Sequence, residues 1–322
     1  MGVTVSETSW LPRQLARLGD RLLPWLMPLA IADLVVNILI VVTGGAVRLT
    51  ASGLGCPTWP RCTDSSYVPH GELGVHGAIE FGNRMVTILV TAVAVLCILA
   101  AWRTGDRLIF RLALGVAMIV PAQIVIGGIT VLTDLNPWVV SFHLLVSMLI
   151  VQLCVWLVRE VADWSPTATN RDQDLQFVTN GRVRRLAWLV FASGWLVLYL
   201  GTVVTGSGPH AGDEDARRTG LDPQVFSHVH AASVYLLVAL TLGLLVWAGT
   251  QGTPGLVRAA GALLAVELVQ GAIGFTQYFL DLPVTLVALH MLGAALTAAA
   301  LAWVVLASRE TGAVAAGQAP QM

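Results

Sequence analysis

Apolar runs of roughly 20 residues alternate with short polar breaks along almost the whole chain, and this rhythm sets the fold class before any single residue is weighed. The runs lie at about 28–48, 76–101, 108–132, 138–160, 185–206, 225–248, 257–280 and 283–307. Each is long enough, at 1.5 Å of helical rise per residue, to cross a hydrocarbon core about 30 Å thick. The pattern predicts an all-α integral membrane protein with eight transmembrane helices. One long polar connection interrupts it, carrying Asp163, Pro166, Asn170, Arg171, Asp172, Asp174, Asn180 and Gly181. The expected organisation is an N-terminal four-helix half (1–160), a cytoplasmic linker (161–184), a C-terminal four-helix half (185–308) and a disordered tail (309–322).

Composition agrees with the pattern. The mean hydropathy is +0.76 and only 11% of residues are charged, against about 25% in soluble domains. A surface this poor in charge calls for lipid as its solvent. All 18 basic residues are arginine. Placing the N-terminus inside puts thirteen of the eighteen on the inner side and leaves Arg48, Arg61, Arg84, Arg217 and Arg218 outside. That bias predicts a cell-membrane protein with both termini cytoplasmic. Arg13, Arg17 and Arg21 precede a first span without a small-residue cleavage site, so the first helix is expected to be retained. A net charge of −1 and the lack of a basic, aromatic-interleaved patch give no nucleic-acid signal.

The two sets of spans repeat one another. Gln123, Gly127, Asp134 and His143 recur as Gln270, Gly274, Asp281 and His290, all at an offset of 147. The same offset sets Asn83 opposite His230, and both Asn83–His143 and His230–His290 are 60 residues apart. A weaker match joins GGAVRLTASG (44–53) to LGTVVTGSG (200–208). Four spans per repeat is an even number, which predicts two pseudo-symmetric four-helix bundles of parallel topology.

Ionisable groups inside membrane helices are costly and are functional candidates by default. His230 and His290 fall near the outer starts of the sixth and eighth spans, at matched depth. Two such imidazoles on facing helices suit the two axial positions of one heme. The plainer reading, histidines hydrogen-bonded in helix packing, is weakened by the duplicated partner set. His228 reads as a packing or solvent contact near the loop, and His70 and His210 carry no signal alone. The first half keeps His143 but has Asn83 as the other member, and an amide is a poor iron ligand beside imidazole. Its helix instead carries His76, Glu80, Asn83 and Arg84 on one face, at spacings of four, three and one. Glu80 and Arg84 either neutralise each other as packing or serve chemistry.

Cys56 and Cys62 flank a loop rich in proline, LGCPTWPRC, on the side that permits disulfides. A structural disulfide is the first reading, with metal binding and reversible thiol exchange as alternatives. Cys97 and Cys154 sit within spans and read as buried packing residues.

The runs TGGAVRLTASGLGCPTWPRC (43–62), IEFGNR (79–84), QIVIGGITVLTDL (123–135) and SFHLLVS (141–147), with His230 and His290, resemble the heme A synthase family over nearly the whole chain. The resemblance implies oxidation of the C8 methyl of heme O to a formyl group, giving heme A for terminal oxidases. It implies a resident heme b on His230 and His290, substrate heme O in the N-terminal half, and Glu80 as a catalytic carboxylate. Many members carry His where this chain has Asn83, so substrate iron is expected on His143 alone or on His143 with His76. Implied partners are heme O, membrane lipid, an electron donor and the heme O synthase. The rival readings are a diheme membrane electron carrier, which lacks a good fourth ligand here, a duplicated transporter, and a non-catalytic heme-binding assembly protein.

Overall fold

The computed structural model describes residues 10–165 and 181–309. Eight helices or helical stretches within it are long and apolar enough to cross a membrane, and no strand occurs among the described residues. Helix α1 (Trp10–Leu22) leads through one 3-10 turn into α2 (Leu26–Leu49). Then follow α3 (Gly74–Trp102), α4 (Arg107–Leu132), α5 (Pro137–Ala162), α6 (Gly181–Ser207), α7 (Pro223–Thr250), α8 (Pro254–Phe279) and α9 (Val284–Ala307). The spans read from hydropathy therefore stand, each with its ends within a few residues of its apolar run. Helix α1 has no counterpart in that reading, because its arginines hide a short amphipathic helix. Its Asp20 pairs with Arg103 at the end of α3 at 2.6 Å. The linker and tail assigned above lie largely outside the described residues.

Local chemistry explains where helices begin. Asp106, Asn136 and Asp222 accept from the first backbone N–H groups of α4, α5 and α7. Pro137, Pro223 and Pro254 occupy first-turn positions where no N–H donor is needed. Outward-facing aliphatic side chains such as Ile88, Met118 and Val246 remain more than 60% exposed. In water such a surface would aggregate, whereas in lipid it is solvated.

The chain forms two compact units. The first takes residues up to 166 together with Thr205–Leu221, and the second takes 167–204 and the chain from Asp222. In the first unit α2, α3, α4 and α5 pack in a closed ring, α2 also meeting α5. One end is filled by Leu26, Ala30, Cys97, Ala100, Ile109, Leu112 and Leu157. The other end is covered by the α6–α7 connection, where Ala211 and Ala216 pack with Leu135, Leu54 and Val140. In the second unit α8 packs on α7 and α9, and Leu301 of α9 fills the notch at Gly194 of α6.

The 147-residue offset recurs in local geometry. Asp134 and Leu135 adopt positive φ, and so do Asp281 and Leu282. Leu135 N–H donates to Thr130 and Leu282 N–H to Gln277, both at 2.8 Å. Two consecutive non-glycine residues in this region are uncommon, so a matching pair at the same turn is informative.

Candidate heme sites

Each repeated histidine leans on a glycine and leaves ring nitrogen unused. In the second unit a Cβ on Gly274 would lie 3.4 Å from Cε1 of His290, and one on Gly201 would lie 3.3 Å from Cε1 of His230. Gln270 on α8 donates to the backbone carbonyl of His290 at 2.9 Å. His230 has the backbone of Val197 as a hydrogen-bond partner, while the buried Nδ1 atoms of His230 and His290 have none. In the first unit the same arrangement surrounds His143: Gly127 lies against its ring, Gln123 donates to its carbonyl at 3.0 Å, and its Nδ1 is buried without a partner.

A neutral imidazole buried in apolar surroundings normally fills its hydrogen-bonding capacity. Three that do not, two of them at places related by the repeat, fit a group the protein itself does not supply. Imidazole is a strong donor to iron. The cradle glycines let the rings stand upright against the helix behind them. No cluster of three or more His, Cys, Asp or Glu able to hold a free ion occurs among the described residues. A macrocycle that supplies four equatorial nitrogens needs only the axial one or two.

Asn83 makes the first unit different. Its Oδ1 accepts from Thr43 at 2.7 Å, and Gly44 lies one residue further along α2, with its Cβ position 4.0 Å from Asn83 Nδ2. His76, two turns nearer the start of α3, shares a 3.0 Å hydrogen bond with Ser52 through Nδ1. The structure thus engages His76 with the α2–α3 connection, while Asn83 engages α2.

One turn before Asn83 on α3 stands Glu80, 6% exposed. One carboxylate oxygen takes Arg84 at 2.6 Å, and the other accepts the backbone N–H of Cys56. Arg84 extends to the carbonyls of Cys56, Thr58 and Arg61 at 3.1–3.3 Å. The loop that wraps this ion pair is closed by a Cys56–Cys62 disulfide, with both cysteines fully buried. It also inserts Trp59 against α4, where a Cβ on Gly128 would lie 2.4 Å from the indole. Cys56 and Cys62 are therefore bonded as the sequence suggested, and Cys97 and Cys154 are buried and free.

Several polar residues escaped the sequence reading. Asp33 is fully buried and holds Asn37 at 3.0 Å. Glu267, 4% exposed, accepts from Thr241 at 2.8 Å. Both were visible as acids inside apolar runs. Arg48 donates to the carbonyls of His210 at 2.5 Å and Thr205 at 2.7 Å, a pairing no spacing announces.

Known proteins share this framework. The family model COX15-CtaA, described as "Cytochrome oxidase assembly protein", matches residues 28–77 and 71–211. A heme A synthase of Bradyrhizobium sp. (strain ORS 278) is 27% identical over 342 residues, covering 87% of this chain and 91% of that one. One from Sinorhizobium fredii is 24% identical over 310 residues, covering 79% and 82%. One from Symbiobacterium thermophilum is 29% identical over 187 residues, covering 57% and 60%. The matched span runs from α2 through the clamped Glu80 and His143 to the α6–α7 connection, and the chain belongs to the COX15-CtaA family of cytochrome oxidase assembly proteins.

Proposed function

We propose that this chain is a heme A synthase of the cell membrane, oxidising the C8 methyl of heme O to the formyl group of heme A for terminal oxidases. The observation that carries the reading is the clamped Glu80: a buried carboxylate one turn from Asn83 on α3, held on both oxygens. An intramembrane acid fixed this tightly, in a unit that also holds an imidazole with spare binding capacity, is costly unless it serves chemistry.

In this reading the halves divide the work. His230 and His290 hold heme b, which supplies electron transfer when bound. His143 would hold the substrate iron, and Asn83, tied to Thr43, offers no strong ligand of its own. Glu80 serves as the catalytic carboxylate, and Arg84 with the Cys56 N–H keeps it oriented; the disulfide holds that N–H in place. Trp59 seated on Gly128 closes the loop over the helices and restricts water. Orientation with both termini cytoplasmic, an external electron donor and delivery of substrate by the heme O synthase belong to the same proposal.

The test is heme extraction from the purified protein followed by chromatography. Heme b with heme O or heme A is the expected content. Heme b alone would favour an electron carrier, and no heme would remove the proposal.

A further inference from the structure

Resting on that reading, we infer that Arg48 and Arg218 form a carboxylate-binding site at the outer end of the first unit, which takes the propionates of the substrate tetrapyrrole. The two guanidiniums converge on neighbouring carbonyls of the α6–α7 connection. Arg48 donates to His210 and Thr205. Arg218 donates to Pro209 at 2.9 Å and to Ala216. Two of their acceptors, the carbonyls of Pro209 and His210, belong to consecutive residues, which brings the two guanidiniums together. Among the described residues neither has a carboxylate within ion-pairing distance, although Asp213, Glu214 and Asp215 lie in the same connection.

Carbonyl groups satisfy hydrogen bonds without cancelling charge. Two adjacent cations, both partly buried, are thus left with their repulsion unbalanced, and an anion with paired oxygens would relieve it. Arg48 keeps Nη1 uncommitted, and Arg218 keeps Nε.

Position selects which anion. Arg48 lies four residues after Gly44 on α2, hence on the same face and one turn, ~6 Å, further out. Gly44 is the residue that faces Asn83. Arg48 therefore stands one turn beyond the level of Asn83, on the face of α2 that meets it, and Arg218 joins it through the neighbouring carbonyls of Pro209 and His210. A tetrapyrrole whose iron is at that level and whose acid edge points outward brings its two propionates to this pair. Gly53 N–H bonded to Gly212 O at 2.7 Å holds the connection in place over the site.

The experiment compares two probes on the purified protein with its resident heme: iron protoporphyrin IX and its dimethyl ester, titrated by absorbance. The wild type should favour the free acid by about tenfold or more, the range expected for charge-assisted hydrogen bonds. Arg48→Gln and Arg218→Gln should each remove most of that preference and leave ester binding unchanged. Arg48→Lys should restore part of it, and Arg217→Gln, at an exposed neighbour, should change nothing. Equal affinity of the wild type for acid and ester, or an undiminished preference in Arg218→Gln, overturns the inference while leaving the proposed function standing. Failure of the wild type to bind either probe overturns both. If Arg48→Gln loses the resident heme spectrum, Arg218→Gln decides alone.

Discussion

The two parts of the chain share residues at an offset of 147, and the contrast between them is readable residue by residue. His143 and His290 have the same glycine, the same glutamine and the same unpartnered nitrogen. Around the other member they part. His230 in the second half corresponds to Asn83, Ser227 to Glu80, Ala231 to Arg84 and Pro223 to His76. Ser227 merely returns its hydroxyl to the carbonyl of Pro223 at 2.6 Å, whereas Glu80 is gripped by an arginine and a disulfide-bonded loop. The lesson is that the glycine and glutamine around one histidine are common to both, and the gripped carboxylate occurs in one copy only.

The comparison can be broken most severely at Glu80. Glu80→Gln should lower heme A formation by at least about a hundredfold, the lower range for a positioned acid–base group, while the heme b spectrum persists. Normal heme A output would remove the asymmetry. Next, His290→Ala should abolish the low-spin bis-imidazole spectrum, and His143→Ala should leave it intact; the reverse pattern would exchange the roles of the halves. Asn83→His would sharpen the contrast. It should add a second bis-imidazole signal and slow turnover, since a saturated iron mainly transfers electrons. Gly128→Ala places a methyl within the Trp59 ring and should destabilise the first half by about 1–3 kcal/mol, seen as an earlier thermal transition and greater accessibility of the Cys56–Cys62 bond to reductant. The smallest effect belongs to Gln270→Ala, which removes one hydrogen bond to the His290 carbonyl and should cost about 1 kcal/mol. It is measurable as faster loss of heme b on heating.

How much of this was legible in the sequence depended on range. The spans and the repeat were readable, because hydropathy and a fixed offset need no knowledge of packing. The histidines stood out for the same reason. Helix α1 was missed since its apolar positions are too few to register as a run. The grip on Glu80 combined a local signal, Arg84 four residues on, with a remote one, the Cys56 N–H 24 residues earlier, and only the first is a matter of spacing. Thr43 as the partner of Asn83 is similarly hidden, being 40 residues away. Asp33 and Glu267 were available to inspection and were passed over because neither sits at a repeated position: the counterpart of Glu267 is Val120.

The cover over the first unit carries a consequence for how the protein is made. Residues 205–221 belong to that unit, yet the ribosome reaches them only after the fifth membrane span has been synthesised. The first four spans can enter the bilayer and assemble their ring, but Arg48, Leu135 and Gly53 lack their partners until α6 has been inserted. Maturation of the N-terminal half thus waits on translation of the C-terminal one. A chain stopped at residue 166 would emerge lidless, whereas two fragments divided between 166 and 180 and produced together would still carry every piece of the cover.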